Sequence, residues 1–339
     1  MERYYSIHDI VTFKVVGKIS RRMAMEYRNF ESEVADKLDF TVYLENFTPV
    51  RKGCQLLDGN HWVRDDYLYC EDSYKLAKWK LELTGFDSDN IIARLHTNAV
   101  GSVYADMFVC AYNIDHLIRF VLNSKGYTAV HAAAVSKDGH GLLFPAQSGV
   151  GKTTTAAYFT QAGYDFLGDD FVIIGNGRVL SFLTPLNIFS YNLSPVIKNN
   201  VGAAGNITLA LKNIIYRVSA GYIKIFSKLN PKDAFLTCQE SELRTVFFLT
   251  QGDKFGINTM ERADLIEHLF INYEMESSPF YGYILEYAYA FPESKVAAYW
   301  KNYKANLNRN LPDDLPIYRV EVPRRYDRET FENILNVVG

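Results

Sequence analysis

The stretch that most constrains the fold is an apolar run followed by a glycine-rich loop and a helical segment, at residues 142–163. Residues 142–144, Leu-Leu-Phe, predict a short buried strand. Residues 153–162 predict a helix, ended by Gly163, a residue that tolerates the left-handed conformation found after helix C-termini. A strand, a loop of this composition and a helix in this order are the context that a phosphate-binding loop requires.

The loop itself predicts how a nucleotide would be bound. Its glycines allow consecutive backbone N–H groups to turn inward around an anion, and the helix N-terminus adds the positive end of its dipole. We therefore expect a nucleoside triphosphate to contact the loop and the first helical residues, which are Gln147, Ser148, Gly149, Val150, Gly151, Lys152, Thr153 and Thr154. Lys152 would contact the β- and γ-phosphates, and the Thr153 hydroxyl would bind the Mg²⁺ that those phosphates hold. The competing interpretation is a chance glycine-rich turn before an amphipathic helix.

Two carboxylates follow the helix. Residues 164–168 predict a returning strand, and so short a crossover favours a strand that is parallel to the first and next to it. Asp169 and Asp170 would then lie at the same sheet edge as the loop. Because successive side chains of an extended chain point to opposite sides, one carboxylate would bind Mg²⁺ and the other would accept the proton of an attacking hydroxyl. The alternative is a strand-end turn carrying two solvated acids.

A histidine precedes the loop on a predicted antiparallel hairpin. Residues 129–135 predict a strand, and Asp138-Gly139 predicts the turn that joins it to the strand of the loop. A turn centred there makes paired residue numbers sum to about 277, which places His131 opposite Ala146 to within about two residues. A neutral imidazole at that position would hydrogen-bond and orient a catalytic carboxylate. The alternative is a structural histidine bonded within the sheet.

The rest of the chain predicts an α/β (α+β) protein with a mixed sheet. The first hundred or so residues contain short strand patterns, at 10–16, 40–44, 62–69 and 78–83, and an amphipathic helix follows at about 105–124. We expect a β-rich N-terminal domain at 1–127 and a second domain, which contains the phosphate loop, at 128–339. A second hairpin, turning at Asn176-Gly177, makes the sheet of that domain mixed.

Composition excludes several classes of protein. The 339 residues are 48% hydrophobic and can form packed cores, while a net charge of −3 gives no signature of a nucleic-acid binder. No run approaches the roughly 18 apolar residues of a spanning helix, and no signal-peptide pattern opens the chain. The four dispersed cysteines suit a reducing compartment. We therefore expect a cytoplasmic protein with no membrane or nucleic-acid partner; a homo-oligomer is compatible with the sequence.

Three motifs in a fixed order resemble a known family. The strand histidine, the G-x-G-K-T loop and the Gly-Asp-Asp sequence after a short helix are similar to those of HPr kinase/phosphorylase-like proteins of the phosphoenolpyruvate-carboxykinase-like group. The resemblance covers residues 129–185 and implies that this region has the fold of that group and performs Mg²⁺- and ATP-dependent phosphorylation of a hydroxyl. It assigns Lys152 to the phosphates, Thr153 and Asp170 to Mg²⁺, Asp169 as the base and His131 as the partner of the base.

Two departures predict a divergent relative and not a true HPr kinase. Ala146 stands where the family commonly has glycine, and no glutamate-containing L-R-G-L-G-like signature follows downstream. The expected acceptor is a serine-like hydroxyl on a small molecule, peptide or protein. One alternative is a nucleotide hydrolase or switch whose state a partner protein reads. A carboxykinase-like lyase is the other, and it would need more metal ligands than the sequence offers.

The last third of the chain adds positive charge. Residues 194–232 contain lysines and an arginine but no Asp or Glu before residue 233, a run expected to border an anionic ligand or to form a solvated surface. Within it, residues 201–206 suit a loop that closes over the site. Four arginines are candidates for a contact with the transferring phosphoryl group, namely Arg319, Arg324, Arg325 and Arg328.

Overall fold

The computed structural model describes residues 1–33, 37–86, 88, 90–188, 227–323 and 328–338. Arg324, Arg325, the loop at 201–206 and most of the basic run therefore lie outside the described residues. Two compact units divide the chain. The first contains Met1–Thr128 and Glu274–Asn306, and the second contains Ala129–Tyr273 and Leu307–Gly339.

The expected domains at 1–127 and 128–339 stay a prediction, because compactness alone does not show that either part folds independently. That expectation did not include the return of residues 274–306 to the first unit.

The described chain contains both strands and helices. The strands are β1 (Glu2–Ile7), β2 (Val11–Gly17), β3 (Glu31–Ser32), β4 (Phe40–Leu44), β5 (Gln55–Leu57), β6 (His61–Arg64), β7 (Tyr67–Tyr74), β8 (Ala77–Thr84), β9 (Ile91–Thr97), β10 (Thr128–Val130), β11 (Ala132–Lys137), β12 (His140–Pro145), β13 (Asp165–Gly168), β14 (Val172–Gly175), β15 (Arg178–Leu180), β16 (Leu186–Ile188), β17 (Ser227–Leu229), β18 (Glu240–Gly252), β19 (Gly256–Thr259) and β20 (Ile317–Pro323). The helices are α1 (Arg21–Glu26), α2 (Ala99–Val103), α3 (Asp106–Ile114), α4 (Asp115–Ser124), α5 (Lys152–Gln161), α6 (Pro231–Ala234), α7 (Arg262–Glu276), α8 (Ser278–Ala290), α9 (Tyr299–Asn310) and α10 (Arg328–Val338).

The first unit is built on one sheet. Among the described residues its strand order is β3-β1-β2-β4-β9-β8-β7-β6-β5. Strand β2, which overlaps the strand pattern predicted at 10–16, alternates buried and half-exposed residues with the period of two that a strand has. The single strand predicted at 62–69 is wrong, because a turn at Asp65 and Asp66 divides it into β6 and β7. The helix predicted at about 105–124 is confirmed as α3 followed directly by α4, with π-type hydrogen bonding in α3.

The second unit contains a mixed sheet, which confirms the predicted fold class. In the described residues its order is β10-β14-β15-β18-β12-β11-β13, with β20 beside β18 and β19 beside β20. Strand β18 runs parallel to β12 and β20, whereas β11 and β12 form the predicted antiparallel hairpin. The hairpin predicted around Asn176-Gly177 is also confirmed, as β14 and β15.

Strand β12 lies at the centre of a packed core. Phe144 on this strand is fully buried and contacts Phe159 of α5, with ring centroids 5.0 Å apart, and Phe247 of β18 at 5.7 Å. Burial of such rings contributes about 2–3 kcal/mol each relative to leaving them exposed. This packing holds α5 against the sheet and so positions the loop between β12 and α5.

The predicted position of β13 is wrong in one respect. Strand β13 pairs antiparallel with β11, and β11 pairs antiparallel with β12, so β13 runs parallel to β12 with one strand between them. The crossover through α5 therefore spans two strand spacings, about 10 Å. The consequence for the site is unchanged, because parallel strands still end at the same sheet edge.

Two further features bear on the predicted location of the protein. No helix in the described ranges has both the length and the apolar character needed to cross a membrane. The cysteines Cys54, Cys70, Cys110 and Cys238 are all free thiols, and Cys70 and Cys110 are buried.

Candidate functional site

The hairpin register determines where His131 lies. Ala132 pairs with Pro145 and Lys137 pairs with His140, so paired numbers sum to 277 and the predicted register is confirmed. His131 immediately precedes β11 and interrupts the strand predicted at 129–135. Because β11 lies between β12 and β13, its first residues are beside the last residues of both neighbours. The backbone of His131 is thus at the edge where the loop and the aspartates begin, and its side chain is buried.

The predicted phosphate loop, between β12 and α5, has the backbone conformation that its glycines were expected to provide. Gly149 and Gly151 have φ values of +85° and +115°, which residues with a Cβ rarely adopt. Gly151 is the N-cap of α5 and has no side chain with which to satisfy the first amide N–H groups of the helix. Those donors therefore suit an anion. Gln147, Ser148 and Gly149 are exposed, so a ligand can approach the loop.

Lys152 folds over the loop. Its ammonium group is buried and donates hydrogen bonds to the carbonyl oxygens of Ala146 (3.0 Å) and Gln147 (3.2 Å). A buried ammonium group needs such partners, because an uncompensated charge is costly away from water. These two carbonyl oxygens hold the Lys152 ammonium group beside the loop. An oxygen of a bound phosphate could take their place as the hydrogen-bond acceptor.

Ala146, the residue before the loop, is held by a hydrogen bond from Asn272. Ala146 does not have a positive φ, so the replacement of glycine there causes no backbone strain. The side-chain amide of Asn272, on α7, donates to the Ala146 carbonyl at 3.3 Å. Asn272 is buried, and its Oδ1 accepts no hydrogen bond from any residue that the structure describes.

Sequence reasoning missed Asn272. The available signal was an amide at helical spacing from Leu265 and Leu269, on the apolar stripe of α7.

Asp169 is in direct contact with the loop helix. Its side chain is only 7% exposed, and its Oδ2 accepts a hydrogen bond of 2.5 Å from the Thr153 hydroxyl. The other oxygen, Oδ1, is buried and accepts no hydrogen bond within the described chain. Burial and, to a smaller extent, the charge of Asp170 raise the pKa of Asp169 to about 6. A buried carboxylate in this state suits either a cation or a proton.

The expected alternation of the two aspartates is wrong. Asp170 has a φ of +68°, so the chain turns in the left-handed region directly after β13 and is not extended there. The two carboxylates nevertheless differ in environment, since Asp169 is buried and Asp170 is exposed.

The residues near Thr153 fit Mg²⁺. This ion prefers hydroxyl, carboxylate and phosphate oxygens, and the Thr153 hydroxyl and the Asp169 carboxylate already touch. The unpartnered Oδ1 of Asp169 is a further oxygen that either a cation or the proton of a hydroxyl would satisfy. Of the candidate arginines, Arg319 has a guanidinium that lies 3.2 Å from His268, and Arg328 is the first residue of α10.

Comparison with known proteins adds little to what the geometry of the site indicates. No family profile matches the chain, and no curated protein matches it. Among solved structures, the chain is similar to the HPr(Ser) kinase/phosphatase from Coxiella burnetii, over 44% of this chain and 99% of that one. The identity is 13% and the TM-score is 0.19, values that do not establish a family or an activity.

Proposed function

We propose that this chain is an ATP-dependent phosphotransferase that uses Mg²⁺ and transfers the γ-phosphoryl group to a serine-like hydroxyl. The contact between Thr153 and Asp169 carries the proposal. It joins the residue of a phosphate loop that would bind Mg²⁺ to a buried carboxylate whose pKa is raised to about 6. A carboxylate whose pKa lies near neutral pH can accept and release a proton during a reaction, which supports a catalytic role beside the loop.

The residues have distinct proposed roles. The loop amides from Gln147 to Thr154 and the ammonium group of Lys152 would bind the phosphates. Thr153 and Asp170 would hold Mg²⁺, which when bound would neutralise charge on the β- and γ-phosphates. Asp169 would be the base and His131, at the end of the neighbouring strand, would orient it.

The proposed transfer conserves atoms and electrons. The acceptor hydroxyl oxygen forms a bond to the γ-phosphorus while the bond from that phosphorus to the bridging β,γ-oxygen breaks. ADP leaves with the bonding electron pair, and the hydroxyl proton goes to the Asp169 carboxylate. The unpartnered Oδ1 of Asp169 supports this role, because Oδ2 is already bonded to Thr153.

Product analysis tests the proposal. Purified protein is incubated with Mg-ATP and a fractionated cell extract, and products are identified by mass spectrometry. We expect ADP together with an acceptor that carries one added phosphoryl group on a hydroxyl. Release of ADP and free phosphate without a modified acceptor would favour a nucleotide switch, and the absence of any ATP binding would overturn the proposal.

A cytoplasmic location and a small-molecule or peptide acceptor belong to the same proposal.

A further inference from the structure

A second group of potential ligands lies in the first unit, outside the phosphate loop. Asp58, His61 and Glu286 each offer one ligand atom, and these atoms lie within 4.8 Å of one another. Asp58 is in the turn between β5 and β6, His61 is the first residue of β6, and Glu286 is on α8. The three residues are brought together only by the tertiary structure, since Glu286 is far from the others in sequence.

His61 is the observation that separates this group from an ordinary acidic surface. Its side chain is only 7% exposed, and its Nδ1 is buried without a hydrogen bond to any described residue. Buried imidazoles normally satisfy their ring nitrogens.

The helix that carries Glu286 is held in place by two tyrosines on the same face. Tyr283 accepts a hydrogen bond from the indole of Trp79 at 3.3 Å, and the Tyr287 hydroxyl accepts one from the backbone N–H of Asp66 at 2.9 Å. Residues three and four apart on a helix share a face, so Glu286 is on the side of α8 that packs on the sheet. The ring of Tyr283 also lies 6.0 Å from that of His61.

We propose that Asp58, His61 and Glu286 form a binding site for a divalent transition-metal ion of the class that Zn²⁺ represents. One imidazole nitrogen and two carboxylate oxygens are a ligand set that Zn²⁺ accepts, whereas Mg²⁺ and Ca²⁺ prefer oxygen alone. Ligands of a tetrahedral Zn²⁺ lie roughly 3.3 Å apart, given bonds of about 2.0 Å. Asp58 is exposed, so its side chain can rotate to close the remaining distance.

The site leaves one coordination position for solvent. An open depression adjoins the group and is lined by Leu57, Asp58, Leu285, Glu286, Ala288 and Tyr289. Three protein ligands with an open position distinguish an exchangeable or reactive zinc from a purely structural one, which is usually enclosed by four. The bound ion would connect the turn before β6 to α8.

Calorimetric titration of the full chain with ZnCl₂ tests the proposal. The protein is first stripped with a chelator, and Mg²⁺ is kept in excess to occupy oxygen-ligand sites at the phosphate loop. We expect one tight Zn²⁺ in the wild type and a loss of affinity of at least about tenfold in Asp58→Asn and in Glu286→Gln. Both variants conserve shape, and asparagine accommodates the φ of +43° at residue 58.

Asp138→Asn is the matched control, because Asp138 is also exposed in a turn with a positive φ, of +51°. Its Zn²⁺ affinity should equal that of the wild type. Affinity unchanged in both Asp58→Asn and Glu286→Gln, or no binding in the wild type, would overturn the proposal. Titration with CoCl₂ gives a second readout. Visible d–d bands that disappear in His61→Gln support it, and a thiolate-to-cobalt band would place the ion on a cysteine and contradict it.

Discussion

Asp169 is the residue on which the chemistry of the proposed site depends. Deep burial and the neighbouring charge on Asp170 raise its pKa to about 6, and the hydrogen bond from the Thr153 hydroxyl opposes that rise. Each of these features is testable by a substitution that conserves the shape of the side chain.

Substitutions in the loop and in the Asp169–Asp170 pair should separate nucleotide binding from phosphoryl transfer. Lys152→Ala removes a cation that would contact the phosphates, so we expect Mg-ATP affinity to fall by about tenfold or more. Asp169→Asn should leave the affinity within about threefold and lower kcat by about 10²–10⁴. Fluorescent-nucleotide binding and an acceptor-phosphorylation assay measure the two quantities. Transfer at the wild-type rate in Asp169→Asn would refute its role as the base.

The order of roles within the aspartate pair is tested by Mg²⁺ dependence. If Asp170 is the metal ligand, Asp170→Asn raises the Mg²⁺ concentration needed for half-maximal rate, whereas Asp169→Asn lowers kcat at saturating Mg²⁺. The reverse pattern would exchange the two roles.

The raised pKa of Asp169 predicts a pH dependence of activity. The base must be ionised to accept a proton, so kcat/KM should rise with pH through about 6, the pKa of the free enzyme. Asp170→Asn removes a charge that raises this pKa, so the acidic limb of the profile should move to lower pH. Asparagine tolerates the φ of +68° at residue 170, so a change of backbone conformation would not account for the shift of the acidic limb. An acidic limb that does not move in this variant would contradict the assignment.

The same carboxylate predicts a pH dependence of stability. The native state holds the Asp169 proton up to about pH 6, whereas the unfolded state loses it near its ordinary pKa of 3.8, so stability falls as pH rises between these values. Asp169→Asn should therefore increase the free energy of unfolding by about 3 kcal/mol above pH 6, and the gain should vanish below about pH 4. Urea unfolding with a chelator present, at pH 4 and pH 7.5, measures this gain in the free energy of unfolding. An equal effect at both values would indicate a cause other than ionisation.

At the scale of elements, the loop depends on α7 as well as on β12 and α5. Asn272 on α7 bonds the carbonyl of Ala146, the residue before the loop. Asn272→Ala should destabilise the protein by about 1–3 kcal/mol, because it leaves a buried carbonyl with one partner fewer. It should also raise the KM for ATP. Ile271→Ala, at a half-exposed position of the same helix, is the matched control and should change both quantities little.

The arrangement of strands explains why elements distant in sequence meet at one edge. Strands β12 and β13 both end where β11 begins, so the loop, the aspartates and His131 converge without any direct pairing between β12 and β13. The hairpin register was predictable because turn residues and the period of two are local. The insertion of β11 between the other strands was not, because strand order depends on pairings that are distant in sequence.

At the scale of the whole molecule, the last segment of the chain completes the unit that holds the loop. Strand β20 pairs with β18 from Val246 to Gly252, and Val320 on it is fully buried in the same core cluster as Phe144. Val320→Ala should lower the free energy of unfolding by about 2 kcal/mol, while Glu321→Ala at its exposed neighbour should have little effect. Thermal unfolding, with and without nucleotide, measures the change in stability of both variants. Equal effects would show that β20 adds no core packing.

The sequence by itself determined the glycine-rich loop between β12 and α5, its flanking strand and helix, and the hairpin that brings His131 to the loop. These features follow from glycine conformation, turn residues and periodicity, which act over a few residues. Only the tertiary structure decided that Asp169 is buried against Thr153, that Asn272 supports the loop, and that Glu286 approaches His61. Burial and pKa depend on which distant segments exclude water from a side chain, and no local pattern encodes that exclusion.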